Sequence, residues 1–386
     1  MRIAFFTNCY KPLINGVVSS IISLREAYQK KGHQVYIFAP RVEGYIDEEE
    51  NIFRYHSVNL TTKVKYPIAI PMSIKASRVI KQFNPNIIHI HHPFILSMPA
   101  IMYATRLKIP KILTIHTQYE RYAHYISPIP RIVTNEAIRR IIFNLADKID
   151  VITTPSQSMK ILISLYKVKK EIVVVPNAIN LSEFQKQDKE KIQSLKKQFN
   201  LNKTDVVMVY VGRISREKNI DKIISAMGIT NKKGIRNMKL LLVGDGPAKK
   251  QLQHQIESLG LEKFVTMVGA INSDLVKYYY QLSDLFIFAS TSETFGMVIV
   301  EALATGIPVL AIKGPGIVDI ITDGFDGILV EDDVFQFAQG LEKLIIDEDL
   351  RRRLAQGALK TAQLYSADAV SEQMLSLYQK LTLKYS

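Results

Sequence analysis

Glu293 and Glu301 stand eight residues apart in the stretch SETFGMVIVEALATGIPVLA. The stretch leaves a strand-length apolar run, DLFIFAS (284–290), passes Gly296 and enters a helical pattern. Glu293 then lies on the loop at the helix entrance, and Glu301 lies a little over two turns further along. A helix entrance offers free backbone N–H groups and a positive dipole end, which suit an anion such as phosphate. Two carboxylates flanking an anion site can accept hydrogen bonds from hydroxyls. The pair therefore suits a ligand with a diphosphate between two hydroxyl-bearing sugars, as in a sugar nucleotide. By spacing alone a solvated loop glutamate and a helix-surface glutamate are the favoured alternative.

Four other positions could act on such a ligand. Arg213 follows the apolar run VVMVYVG (206–212), and Lys218 comes five residues later in GRISREKN. A guanidinium fork and an ammonium point charge suit a diphosphate; a surface loop is the competing interpretation. Gly16 opens a helical pattern after TNCYKPLIN, where its N–H and that of Val17 could approach a phosphate unobstructed. His116 ends the run KILTIH (111–116). Other signals are weaker. GDGPAK (244–249) lacks the third glycine of a dinucleotide fingerprint and reads as a tight strand-to-helix turn. His89, His91 and His92 resemble a metal cluster, with His89 and His91 on one face of a strand, but no acidic partner is near. Cys9 has no base beside it in sequence.

The elements that must position these residues alternate along the whole chain. Apolar runs of strand length recur at 2–8, 34–40, 87–92, 111–116, 150–155 and 171–176, then at 206–212, 239–246, 264–269, 284–290, 308–312 and 327–330. Helical patterns separate most of them. Runs apolar on both faces predict parallel sheets covered by helices on each side, an α/β class. The charged segment QKQDKEKIQSLKK (185–197) divides the chain into two doubly wound halves, 1–184 and 185–367. A final amphipathic helix, 368–386, is placed to return to the first half. Ligands of such sheets bind beyond the carboxyl ends of the strands, where Gly16, His116, Arg213 and Glu293 all fall.

Composition sets outer bounds. The 386 residues suffice for two domains, and no window approaches 20 consecutive apolar residues. The start, MRIAFFTNCYKP, reads as a first strand and not as a signal peptide. One cysteine excludes an internal disulfide and a cysteine-based zinc site, and fits a reducing compartment. The net charge of +14 is unevenly spread: residues 51–146 hold thirteen Lys and Arg against Glu120 and Glu136, a net of +11. Such a block attracts polyanions, whether a nucleic acid or an anionic membrane, or is merely a basic solvated face. No basic recognition helix or aromatic–glycine RNA-binding motif supports nucleic acid.

Taken together, NGV (15–17), HTQY (116–119), TPSQSM (154–159), VPNAIN (175–180), GRISREKN (212–219), LLVGDGP (241–247), VGAI (268–271) and the E-x7-E segment resemble a retaining glycosyltransferase of the GT-B fold, family 4 type. The resemblance covers nearly the full length. It implies two Rossmann-like domains facing across a cleft, with the C-terminal helix crossing back to the first. It implies that Arg213 and Lys218 bind the donor diphosphate, Glu293 the hexose hydroxyls and Glu301 the ribose. Phe295, Gly296 and Met297 would line the donor through their backbones, joined by Ile271, Gly16 and Val17. His116, Arg213, Lys218 and Glu293 would be the catalytic residues. The sequence departs from the family at PNAIN, where relatives carry glycine and aspartate.

The segment HTQYERYAHYI (116–126) is similar to one found in bacterial 1,2-diacylglycerol 3-glucosyltransferases, peripheral membrane enzymes of the cytoplasmic face. That narrower resemblance implies UDP-glucose as donor, diacylglycerol as acceptor, no cofactor or metal, and an anionic membrane as partner. Tyr119, Tyr122, Arg139 and Arg140 would serve acceptor and membrane. Ile138, Ile141, Ile142 and Leu145 form a stripe at i, i+3, i+4, i+7 beside Arg139 and Arg140, which suits an interfacial helix or a core-facing one. YPIAIPMS (66–73) could insert as a loop. A soluble sugar, polysaccharide or other lipid could be the acceptor instead. A sugar-nucleotide epimerase shares the two-lobed fold but needs acid/base carboxylates that the sequence does not display.

Overall fold

The computed structural model describes residues 1–59, 67–122 and 131–385, with backbone alone at 121, 122, 131 and 132. It forms two compact units: Met1–Ala178 with Ala367–Ser386, and Ile179–Ser366.

The first unit runs β1 (Arg2–Phe6), α1 (Gly16–Lys30), β2 (Gln34–Pro40), β3 (Ile52–Tyr55), β4 (Ser57–Asn59), β5 (Pro67–Ala69), α2 (Ile74–Phe83), β6 (Ile87–Ile90), α3 (Ser97–Leu107), β7 (Lys111–Thr114), α4 (Tyr119–Tyr122), α5 (Arg131–Ala146), β8 (Val151–Thr154), α6 (Gln157–Ser164) and β9 (Ile172–Val174). Seven strands make one sheet in the order β3-β2-β1-β6-β7-β8-β9, and β4 pairs with β5 separately. All pairings within the large sheet are parallel. The strand order reverses between β1 and β6, the switch point where such sheets open a ligand crevice.

The second unit runs α7 (Leu181–Gln185), α8 (Lys189–Gln198), β10 (Val206–Val211), α9 (Ile220–Lys232), β11 (Met238–Val243), α10 (Lys249–Ser258), β12 (Val265–Gly269), α11 (Val276–Gln281), β13 (Leu285–Phe288), α12 (Met297–Ala304), β14 (Val309–Ile312), β15 (Gly327–Val330), α13 (Val334–Ile346) and α14 (Glu348–Gln363). Its parallel sheet has the order β12-β11-β10-β13-β14-β15, with the switch point between β10 and β13. The last helix, α15 (Ala367–Thr382), belongs to the first unit.

The apolar runs explain both sheets. Every residue of β10, β13 and β14 is buried, as are Ile3–Phe6 of β1, because helices cover both faces. Burying each such side chain contributes about 1.5–3 kcal/mol. Several helices start where side-chain caps satisfy free N–H groups, among them Asn15 for α1, Ser156 for α6, Asp188 for α8, Asp333 for α13 and Asp347 for α14. As its amphipathic pattern predicts, α15 buries Val370, Met374, Tyr378 and Leu381 in a cluster with Ile3, Phe5 and Tyr28.

Candidate functional site

In the second unit the predicted donor residues gather at the carboxyl ends of β10 and β13, on either side of the switch point. Arg213 follows β10 and is exposed; Lys218 ends a single 3-10 turn, Arg216–Lys218, and is half-buried. The loop is held from three sides. Tyr210 donates its hydroxyl to the Arg213 carbonyl at 3.1 Å, Ile214 N–H donates to the Asp245 carbonyl at 3.0 Å, and Asn219 Nδ2 donates to the Ala289 carbonyl at 3.0 Å. GDGP is the tight turn expected of it. A Cβ on Gly244 would lie 1.9 Å from the Gly212 carbonyl oxygen, so only glycine lets the two strand-end loops meet.

Glu293 lies on the loop before α12, and Glu301 lies within that helix, as their spacing predicts. Lys218 Nζ donates to Glu293 Oε1 at 2.5 Å. Glu217, unnoticed in the sequence, sits beside both cations: burial pushes its carboxyl up, but Ser215, its own backbone, Lys218 and Arg213 hold it below the usual range. Phe295 is buried and meets Tyr365 edge-on at 5.5 Å, so its backbone is what it can offer a ligand. Gly296 caps α12, Met297 begins it, and Ile271 packs half-buried on the core beyond β12. Glu301 is half-buried, and Tyr280 donates to its Oε2 at 2.8 Å. Burial raises its carboxyl to about 7; Tyr280 opposes this and the nearby Glu183 adds to it.

At the carboxyl ends of the first sheet the geometry revises one expectation. Asn15 Oδ1 accepts from both Val17 N–H and Val18 N–H at 3.0 Å, so the Val17 amide assigned to a phosphate is already engaged. The sequence reads Asn15 as a neighbour of the glycine, whereas it is the helix cap. His116 is buried, with Nδ1 2.9 Å from Asn177 Oδ1 and Nε2 3.2 Å from His91 Nδ1. The three strand-end histidines are likewise buried. His89 contacts Tyr378 and Thr114, and His92 contacts Thr7 and lies 3.7 Å from Cys9 Sγ. His89 and His91 do share a face, their rings stacked at 4.1 Å. Burial, and then the His116 imidazole, push His89 and His92 down to about 3, so both are neutral hydrogen-bonding groups. Burial pushes His116 down to about 4 against the Asn177 hydrogen bond. Among the described residues no group of three or more His, Cys, Asp or Glu is arranged to hold a metal ion.

The residues expected at a membrane lie in different surroundings. Arg139 Nε donates to Glu120 Oε1 at 2.9 Å, and Tyr166 donates to the other Glu120 oxygen. Glu120 is buried, so Arg139 compensates an internal carboxylate; spacing could not show a partner 19 residues away. Arg140 is 77% exposed and pairs on the helix surface with Glu136 at 3.3 Å. Ile142 and Leu145 lie in the core with Ile138 packed against it. Val133, Ile141 and Phe143 face out. Tyr119 is half-buried, edge-on to Phe94 at 4.7 Å. The Arg121 and Tyr122 side chains, residues 123–126 and Tyr66 lie outside the described residues. Beyond β5, Met72 is 88% exposed. No described helix is long and apolar enough to cross a membrane.

Comparison with known proteins matches this geometry to a family. The model of glycosyl transferases group 1 matches residues 191–361, and that of glycosyltransferase family 4 matches residues 14–183. The chain is 34% identical over 355 residues to alpha-monoglucosyldiacylglycerol synthase of Streptococcus pneumoniae, covering 91% of this chain and 80% of that protein. It is 30% identical over 341 residues to the synthase of the same description from Acholeplasma laidlawii, covering 85% and 84%. Among solved structures, Anabaena HepE in complex with UDP superposes with a TM-score of 0.79 at 20% identity, covering 99% of this chain and 100% of that one. With two doubly wound sheets, cations and carboxylates at the strand ends of the second, and these relatives, the chain belongs to the GT-B glycosyltransferases of the group 1 and family 4 type.

Proposed function

We propose that the protein transfers glucose from UDP-glucose to diacylglycerol, with retention of configuration, at the cytoplasmic surface of a membrane. The Lys218–Glu293 pair beside the β10/β13 switch point carries this reading, because it sets a phosphate-binding cation against a hydroxyl-binding carboxylate. The likeness to the two monoglucosyldiacylglycerol synthases supports the lipid acceptor. The net +11 of residues 51–146 supports an anionic surface.

In this reading Arg213 and Lys218 hold the diphosphate, Glu293 the hexose hydroxyls and Glu301 the ribose. The bond between the anomeric carbon and the β-phosphate oxygen breaks, and UDP departs with its electrons. The acceptor hydroxyl oxygen bonds to that carbon on the face UDP leaves, and its proton passes to the departing phosphate. Fixed cations stabilise the charge that grows on that phosphate; losing one such donor costs about 10²–10³ in rate. The reading requires no metal, since the side chains supply the positive charge. In the first unit, an anion reaching Gly16 would compete with Asn15 Oδ1 for the Val17 amide.

Incubation with UDP-glucose, with and without anionic vesicles containing diacylglycerol, tests the proposal. UDP release that depends on the lipid, with an α-linked product, supports it. Release indifferent to lipid is transfer to water and counts against diacylglycerol as the acceptor, and interconversion of UDP-sugars without release points to an epimerase.

A further inference from the structure

Glu301 is oriented by a side chain that no sequence motif marks. Tyr280, fully buried in α11, donates its hydroxyl to Glu301 Oε2 at 2.8 Å. Its ring is enclosed by Phe286 at 5.7 Å and Phe184 at 6.3 Å between centroids. Burial, and then the adjacent Glu301, push the phenol well above its ordinary range, so it stays protonated and donates. A terminal carboxylate torsion is broad and roughly two-fold, so a glutamate without a fixed partner spreads over many orientations. A donor on an immobile ring removes that freedom. Among the described residues Glu301 Oε1 makes no hydrogen bond, which leaves one oxygen held and the other presented.

We propose that Tyr280 is a positioning residue: it fixes the Glu301 carboxylate so that Oε1 meets the ribose hydroxyls, and thereby sets the preference for ribonucleotides over deoxyribonucleotides. The inference rests on the assignment of Glu301 to the ribose. Tyr280 touches no substrate atom; its effect passes through Glu301.

Calorimetric titration of the full chain with UDP, 2′-deoxy-UDP and 3′-deoxy-UDP tests it, using wild type, Glu301→Ala and Tyr280→Phe. A hydroxyl bonded to a carboxylate makes the wild type prefer UDP over at least one analogue by about tenfold to a hundredfold. Glu301→Ala abolishes the preference. Tyr280→Phe reduces it to about threefold or less by weakening UDP binding, while binding of the discriminated analogue stays unchanged. A packing role alone would weaken all three ligands equally and keep the ratio, which overturns the proposal. If Glu301→Ala loses the preference and Tyr280→Phe keeps it, Tyr280 fails while the ribose assignment stands. If the wild type has no preference, or Glu301→Ala keeps it, the ribose assignment fails and the inference with it. Should Tyr280→Phe not fold, fluorotyrosine at position 280 changes donor strength and not shape. The ratio is then expected to shift, and an unchanged ratio overturns the proposal.

Discussion

Lys218 Nζ lies 2.5 Å from Glu293 Oε1, and each side chain is only 16% exposed. The cation assigned to a diphosphate and the carboxylate assigned to hexose hydroxyls therefore hold each other. An ammonium has three donors and a carboxylate two acceptor oxygens, so both can serve a donor while paired, which ties recognition of the sugar to recognition of the phosphate. Removing one member leaves the other charged and mostly desolvated. Glu293→Gln and Lys218→Met are each expected to lower turnover by about 10²–10³ and to cost about 1–3 kcal/mol in stability. The double variant should lose less stability than the two singles combined, and thermal melts read that coupling. Additive losses would show that the pair is not coupled.

Glu301 predicts a pH dependence. Its carboxyl is raised from 4.5 to about 7 by burial, so the folded protein holds a proton there that the unfolded chain has lost between those values. That stabilisation is complete below 4.5 and is lost as pH rises through 7. Glu301→Gln should therefore melt higher than wild type at pH 8, with the gain vanishing towards pH 4.5. Hydroxyls bind the ionised form, so affinity for UDP-glucose, whose diester phosphates do not titrate near neutrality, should fall as pH drops below 7, and its binding at pH 6 should release a proton. Calorimetry in buffers of different ionisation enthalpy reads the release; identical heats would contradict it.

Arg139 and Arg140 adjoin in sequence and should behave oppositely. Arg139 is half exposed, but Arg139→Ala removes a charged hydrogen bond from buried Glu120 and is expected to cost about 1–3 kcal/mol. Arg140→Ala loses an exposed helix pair and should cost under about 0.5 kcal/mol. Only Arg140→Glu is a clean probe of docking. With about 1 kcal/mol per basic residue near an anionic surface, the reversal should weaken vesicle binding at least about tenfold. Unchanged sedimentation with anionic vesicles would remove this helix from the docking surface.

Gly316 supports the Glu293 loop from behind. It has φ +77°, and a Cβ there would lie 2.8 Å from the Thr294 carbonyl carbon and 2.9 Å from the Glu293 oxygen. Gly324 has φ +76° with nothing within 4 Å. Both alanine variants meet the same backbone strain, about 1–2 kcal/mol. Gly316→Ala alone should also displace Glu293 and lower transfer at least about tenfold. Equal activity in the two variants would argue against a supporting role for this loop.

The layout of the fold was legible because strands buried on both faces read as uninterrupted apolar runs, as in VVMVYV and LFIF. Glu293 and Glu301 were legible because their separation and the strand before them fix a loop and a helix position. The partners of site residues were not. Asn15 looks like loop sequence until its carboxamide is seen on Val17, and Glu120 looks like a surface acid until Arg139 and Tyr166 close on it. Tyr280 is one of three consecutive tyrosines, and only the packing of α11 chooses which meets Glu301. Each such contact depends on where the chain returns, which local spacing does not encode.

Titration of the full chain with UDP-glucose, in wild type and Lys218→Met, tests the donor site most directly. A saturable heat for one site is expected in the wild type, with binding weakened about tenfold to a hundredfold in the variant by loss of a charged hydrogen bond. No heat with UDP-glucose, or an affinity in Lys218→Met equal to wild type, would contradict the assignment of this strand-end site to a nucleotide sugar.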